Sequence, residues 1–198
     1  MTPVLETRRL VLRPLTLEHA AATQELFPHW EIVRLLSNKV PWPYPEDGAL
    51  TFYREQALPA VVRGEKWIWA IFLKGGPAHL IGCVNLSLET TENRGFWLGI
   101  PWQGQGLMTE ACAVVTDFWF GVLGQERLRV SKAAVNTASR QVSMKQGARL
   151  VAVEERDFVS GRFPAEIWEL AREEWKFPAP CMTRKAKAPA LGEKPGPR

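Results

Sequence analysis

The sequence has few cysteines and no long apolar run, and both shortages exclude classes of protein. Its three cysteines, Cys83, Cys112 and Cys181, form an odd set without Cys-x-x-Cys or His-Cys spacing. That favours reduced thiols over a disulfide framework or a zinc site. No apolar run reaches the length of a membrane span, and the N-terminal residues lack the apolar core of a signal peptide. We therefore expect a cytoplasmic protein with no bound metal and no membrane partner.

Acidic residues are scarce near the C-terminus, where the net charge of +4 is concentrated. Residues 178–198 hold five Lys or Arg residues and five prolines, against Glu193 as the single acid. Such a segment buries too little apolar surface to offset the entropy of ordering. We predict one domain over residues 1–177 and a disordered basic tail over 178–198. The charge of the domain itself does not indicate a nucleic-acid partner, and RNA or ribosome binding by the tail stays an alternative.

The spacing of apolar residues predicts elements in the order β-α-α-β-β-β-α-β-α-β-β. The strands cover residues 9–16, 66–74, 79–89, 94–100 and 128–135, followed by a closing hairpin of 149–159 with 165–175. The helices cover 17–27, about 46–63 with an interruption near Pro59, 107–122 and 137–147. Strands outnumber helices and most connections are short. We therefore expect an α+β fold, with a mixed, mostly antiparallel sheet of six to seven strands flanked by about four helices.

A glycine-rich turn connects the strand at 94–100 to the helix at 107–122. In GIPWQGQGLMTEA, residues 99–111, Gly104 and Gly106 flank Gln105. Glycine leaves the main chain open to a ligand, and a helix N-terminus has about four unpaired N–H groups and a partial positive charge. The turn is therefore predicted to bind a pyrophosphate. It lacks the Lys and Ser/Thr of a P-loop and the third glycine of a Rossmann turn.

Two blocks of sequence together resemble the acetyl-CoA-binding core of the GNAT acetyltransferase superfamily, in its RimJ/RimL-like branch. The blocks are GFWLGIPWQGQGLMTEA (95–111) and NTASRQVSMKQGARL (136–150), and ETRRLVLRPLTLEHA resembles that branch's opening strand and helix. The resemblance covers roughly residues 5–176. It implies the acyl-CoA N-acyltransferase fold, acetyl-CoA as cosubstrate, and acetyl transfer to a primary amine of a peptide or small molecule. Relatives of this kind often form homodimers.

The resemblance also implies where the coenzyme binds. The strand ending at residues 98–100 is expected to splay from the strand at 128–135, with the pantetheine arm in the wedge between them. The implied cofactor-binding residues are Leu98, Gly99, Ile100, Gln103, Gly104, Gln105, Gly106, Leu107, Met108 and Asn136. Pro101 departs from the superfamily, which often has Arg or Gln there, so main-chain amides are expected to dominate phosphate binding. Arg140 and Lys145 are either phosphate contacts or solvated charges.

The proton-transfer groups of the family are only partly represented. Ser139 matches a serine near the thioester sulfur and is the candidate acid, because both tyrosines of the chain lie far upstream. Several relatives have a carboxylate where this chain has Asn93. The neighbouring Glu92 is the candidate base, although a shift of one residue along a strand reverses the face. Glu31 and Glu89 are the alternatives.

Three aromatic residues are candidates for the acceptor site. Trp30, Trp42 and Tyr44 lie in the proline-rich connection between the first helices, which in the family forms a wall of that site. Aromatic faces bind cationic amines, although packing in a small cluster is an alternative. The incomplete set of proton-transfer groups leaves a second functional hypothesis open, a non-catalytic acyl-CoA-binding or sensor module.

Overall fold

The computed structural model describes residues 1–176 and confirms the α+β class. The predicted disordered tail and Cys181 lie outside the described residues. The strands are β1 (Leu5–Glu6), β2 (Leu10–Pro14), β3 (Lys66–Leu73), β4 (Gly82–Ser87), β5 (Arg94–Leu98), β6 (Arg127–Ala133), β7 (Arg149–Phe158) and β8 (Gly161–Ala171). The α-helices are α1 (Ala20–Leu26), α2 (Trp30–Val33), α3 (Gly48–Phe52), α4 (Leu58–Val62), α5 (Leu107–Gly121) and α6 (Thr137–Lys145). The short elements β1 and α2 were not predicted, because they contain too few residues to show a period.

The strands of residues 1–176 form two sheets, where six to seven strands in one sheet were expected. One sheet has the order β1-β2-β3-β4-β5 and the other β6-β8-β7, and every pairing is antiparallel. Asn93, just before β5, holds β5 to β6 at one end: its N–H donates to the Arg129 carbonyl, and its Oδ1 accepts from the Arg129 N–H, both at 2.7 Å. From there β5 and β6 continue in separate sheets, as the predicted wedge requires.

Pro59 does not interrupt its helix as predicted. A π-helical turn, Tyr53–Ala57, joins α3 to α4, so the chain stays helical from residue 48 to residue 62. Pro59 is the second residue of α4 and lies directly after the π turn, inside this continuous helical segment. The wider π turn changes the hydrogen-bond partners and so accommodates the proline.

Helix α5 packs its apolar face on the five-stranded sheet. Its buried residues include Ala111, Val115 and Trp119, which lie in one core cluster with Leu12 and Trp69 of the sheet. This packing positions the N-terminus of α5 beside the end of β5. Within residues 1–176, every helix is too short or too polar to cross a lipid bilayer.

Candidate active site

The glycine turn holds an uncommon backbone conformation that presents unpaired N–H groups. φ is +74° at both Gly104 and Gly106, in the left-handed region where other residues are strained by about 1–2 kcal/mol. Gly106 is the N-cap of α5. The main-chain N–H groups of residues 104–108 donate to no acceptor of residues 1–176. These groups lie at the positive end of α5, an arrangement suited to an anion, and pyrophosphate binding by the turn stays a prediction.

Arg9, which sequence reasoning missed, holds this turn in place. Its Nη1 donates to the carbonyl of Gln105 at 3.0 Å, and its Nε forms an ion pair with Glu110 at 2.7 Å. Desolvation opposes ionisation of Glu110, but hydrogen bonds from Thr7 and Arg9 outweigh it and lower the pKa. The half-exposed guanidinium connects the turn to α5, and its charge is paired with that of Glu110. The only sequence signal for Arg9 was its place in the resembling N-terminal block.

A cleft of about 330 Å³ lies between the glycine turn, the end of β5 and α6. Most of the predicted cofactor-binding residues line it: Leu98, Gln103, Gly104, Gly106, Leu107, Met108 and Asn136. Trp97 and Trp102, which were not predicted to bind the coenzyme, line it too. The structure therefore brings the two resembling blocks together around one cavity.

The other three predicted cofactor-binding residues do not line the cleft. A Cβ on Gly99 would lie 2.8 Å from the ring of Trp102, so this glycine is required by packing. Ile100 is exposed. The side chain of Gln105 donates to the carbonyl of Pro101 at 2.9 Å.

The two basic candidates on α6 differ in position. Lys145 lines the cleft. Arg140 instead forms an ion pair with Glu166 at 2.7 Å and is not part of the lining.

Asn136 and Ser139 lie where the cleft meets a second cavity. Asn136 Oδ1 accepts from the Ser139 N–H at 3.0 Å and so caps α6. Within residues 1–176, Asn136 Nδ2 and Ser139 Oγ make no hydrogen bond. Both residues line the cleft and the second cavity, as do Leu36 and Phe96.

The second cavity, here called the acceptor cavity, measures about 150 Å³. Its charged walls are Glu92, Arg94, Lys132, Arg156 and Asp157. Burial raises the pKa of Glu92, while Arg156 and Lys132 act in the opposite direction. A carboxylate with a raised pKa is better suited to accept a proton than an ordinary surface acid.

Asn93, the residue at the family's carboxylate position, has a structural role. It is buried, and its Nδ2 donates to the carbonyls of Ser87 at 3.2 Å and Glu89 at 2.6 Å. Glu92, one residue before the family's carboxylate position, lines the acceptor cavity instead. Of the alternative bases, Glu89 forms an exposed ion pair with Lys66 at 3.1 Å, and Glu31 lines the cleft.

The three aromatic residues predicted to line the acceptor site lie outside the two cavities, and their role in acceptor binding stays a prediction. Trp30 and Trp42 pack on each other with ring centres 5.4 Å apart, and they are 41% and 42% exposed. Tyr44 packs on Phe27 at 5.2 Å, and burial raises its pKa to about 12. None of the three lines either cavity.

The other tyrosine is also remote from Ser139. Tyr53 is buried in the core between the helices and the sheet, and its hydroxyl bonds Thr23 at 2.6 Å. Burial raises its pKa. Within the described part of the chain, no group of three or more His, Cys, Asp or Glu residues is arranged to hold a metal ion.

The sheets and helices have the arrangement of the acyl-CoA N-acyltransferase fold. The sequence model of the Acetyltransferase (GNAT) domain matches residues 9–149. The chain therefore belongs to the GNAT acetyltransferase family, and the predicted enzyme class, an acetyl-CoA-dependent N-acetyltransferase, is confirmed. No curated protein matches the chain by sequence.

Solved structures with the same fold include several acetyltransferases. RimL, a ribosomal L7/L12 alpha-N-protein acetyltransferase in complex with coenzyme A, has a TM-score of 0.74 at 17% identity, over 87% of this chain and 99% of that one. RimJ from Mycobacterium smegmatis, in complex with CoA-disulfide, has a TM-score of 0.72 at 18% sequence identity. The match covers 86% of this chain and 88% of that one. The microcin C7 self-immunity acetyltransferase MccE, in complex with acetyl-CoA and AMP, has a TM-score of 0.69 at 17% sequence identity. The match covers 83% of this chain and 93% of that one. These identities show a shared fold.

Proposed function

We propose that this acetyltransferase transfers the acetyl group directly from acetyl-CoA to a primary amine held in the acceptor cavity. The observation that carries the proposal is that the cleft and the acceptor cavity share Asn136 and Ser139 in their walls. On one side the cleft leads to the glycine turn, and on the other the acceptor cavity is lined by the partly buried Glu92. A donor and an acceptor bound from opposite sides would meet at this point, as a ternary complex requires.

The cleft supplies binding groups of the type the donor needs. The unpaired N–H groups of residues 104–108 and the guanidinium of Arg9 hold the diphosphate, and Lys145 adds positive charge at the cleft. Asn136 Nδ2 donates to the pantetheine arm. Acetyl-CoA, when bound, supplies an acetyl thioester with a thiolate leaving group.

Proton transfer completes the proposed reaction. Glu92 accepts a proton from the acceptor ammonium, so that the neutral nitrogen attacks the carbonyl carbon. The C–N bond forms as the C–S bond breaks, and Ser139 Oγ donates a hydrogen bond to the departing sulfur. The nitrogen then releases its second proton to solvent, and the thiolate takes up one proton from solvent. The proton held by Glu92 is the net proton that the reaction releases at the end of each turnover.

A covalent acyl-enzyme has no support in the described residues. Ser139 Oγ has no hydrogen-bonded base to activate it. Cys83 and Cys112 are buried, and burial raises the pKa of both thiols, to about 12 for Cys83. Neither thiol would be ionised at neutral pH, and only the thiolate is an effective nucleophile.

The acceptor is a protein N-terminus or a small-molecule amine. A cavity of about 150 Å³ is smaller than typical drug-sized pockets, so only the amine-bearing end of the acceptor enters. Structures similar to this chain include an alpha-N-protein acetyltransferase and an immunity enzyme crystallised with AMP. The proposed location is the cytoplasm, and the homodimer stays a prediction.

The direct test is to incubate the protein with acetyl-CoA and a panel of peptides, polyamines, aminoglycosides and amino acids, measuring thiol release and product mass. Glu92→Gln should reduce kcat by about 10²- to 10⁴-fold, because the general base is lost. Glu89→Gln, which changes an exposed carboxylate nearby, is the matched control and should retain activity. Tight CoA binding with no acetylated product from any amine would instead favour the non-catalytic sensor.

A further inference from the structure

Two cations that the proposed reaction does not use are buried in the wall of the acceptor cavity. Arg94, the first residue of β5, is 3% exposed, and Lys132 on β6 is 5% exposed. Both line the cavity that also contains Ser139. They therefore lie next to the point where the donor cleft and the acceptor cavity meet.

Neither cation has an anionic partner among residues 1–176. Arg94 Nη1 donates to the neutral hydroxyl of Thr116 at 2.8 Å, while its buried Nε has no hydrogen-bond partner. Lys132 Nζ lies 5.4 Å from the centre of the Phe96 ring and forms no ion pair. By contrast, Arg140 on the adjacent helix α6 is paired with Glu166 at 2.7 Å.

Burying such charges without partners costs several kcal/mol per ion. Burial lowers the pKa of Lys132 to about 7, with a further contribution from Arg94, while Cys112, Glu92 and Glu166 act in the opposite direction. Glu166 is already bonded by Arg140 and by the indole of Trp168 at 3.0 Å. The charge of the two cations is therefore only partly balanced by the protein itself.

We propose that Arg94 and Lys132 form a subsite for a carboxylate that enters the acceptor cavity with a substrate. The inference rests on the proposed function, in which this cavity receives the reacting groups. A guanidinium fork and an ammonium group match the two oxygens of a carboxylate. Glu92 faces the same cavity and would bind the ammonium of an acceptor. The cavity thus has groups complementary to both charges of an amine that also bears a carboxylate.

The carboxylate belongs either to the acceptor or to the acyl chain of the donor, and two binding experiments distinguish these sources. In the first, calorimetry in the presence of CoA compares amino acids and acidic peptides with their carboxamide counterparts. In the second, without an amine, it compares succinyl-CoA with butyryl-CoA. Loss of a charged hydrogen-bonding partner increases Kd by about 10- to 100-fold. In one of the two experiments we expect the wild-type protein to bind the carboxylate ligand more tightly by this factor. The Lys132→Met and Arg94→Met variants should lose this preference.

Arg127→Met is the matched control, because it removes a cation from the exposed end of the same strand β6. It should keep the preference. Substituting a buried, unpaired charge by an apolar residue of similar length does not impair folding, and thermal unfolding of both variants verifies this. Preference in either arm supports the subsite and identifies the source of the carboxylate.

The subsite is refuted if wild-type protein shows no preference in either arm, or if the preference survives in both variants. Because these are binding measurements, they do not depend on turnover. A protein that acetylates no amine contradicts the proposed function and leaves this test intact. Acetylation of an amine by a protein that shows no carboxylate preference in either arm contradicts the subsite alone.

Discussion

Lys132→Met should stabilise the protein, with a gain that depends on pH. An unfolded lysine has a pKa near 10.5, whereas burial lowers the pKa of Lys132 to about 7. That difference corresponds to a full penalty of about 5 kcal/mol. The full penalty applies below pH 7, where Lys132 is protonated in both the folded and the unfolded state. The penalty decreases between pH 7 and 10.5, because the folded state has released its proton while the unfolded state still holds it. Above pH 10.5 the penalty vanishes. Methionine preserves the apolar stem without the charge.

Relaxation reduces the measurable part of this penalty. Replacing buried ionic groups by apolar ones raises the free energy of unfolding by about 1–4 kcal/mol. Each kcal/mol shifts Tm by roughly 2–4 °C at this chain length. We expect Lys132→Met to raise Tm by about 3–15 °C at pH 6.5 and by much less at pH 9.5, as measured by calorimetric unfolding without ligand. The control Arg127→Met should change Tm little at either pH, because its side chain is 71% exposed. A lower Tm for Lys132→Met, or a gain independent of pH, would refute the reasoning.

Three further predictions concern coenzyme binding and proton transfer. Gly106→Ala should weaken CoA binding by about tenfold or more, since it strains the turn that presents the amides; Gly124→Ala, at a similar φ of +66° and away from the cleft, should leave the calorimetric Kd unchanged. Arg9→Met should weaken CoA binding and reduce its dependence on salt, and equal salt slopes for both proteins would contradict a phosphate contact. The rate should fall as pH decreases through the raised pKa of Glu92, and this acidic limb should be absent in Glu92→Gln.

Short-range features of the chain were largely predictable from the sequence. The bounds of β3, β5, α5 and α6 follow from apolar periodicity, which depends only on neighbouring residues. The left-handed conformation of Gly104 and Gly106 follows likewise from glycine spacing before a helix. The resemblance then connected this turn with Asn136 and Ser139, and the cleft contains these residues together.

For other residues the local pattern did not specify the position, because packing determines it. Pro59 remains within a helical segment because a π-helical turn precedes it. Trp30 and Trp42 look suited to bind an amine, but they pack on each other outside both cavities. In each case a contact or a turn that the pattern of residue types does not specify decides where the residue lies.

The sequence by itself determined the family, the order of the longer strands and helices and the position of the glycine turn, because these depend on local composition and spacing. Only the tertiary structure decided that Glu92 lines a cavity while Asn93 joins β5 to β6. It alone placed Arg9 beside the turn, and Arg94 and Lys132 in one wall. Burial and charge pairing depend on which strands and helices meet across the wedge, and no local pattern specifies those contacts.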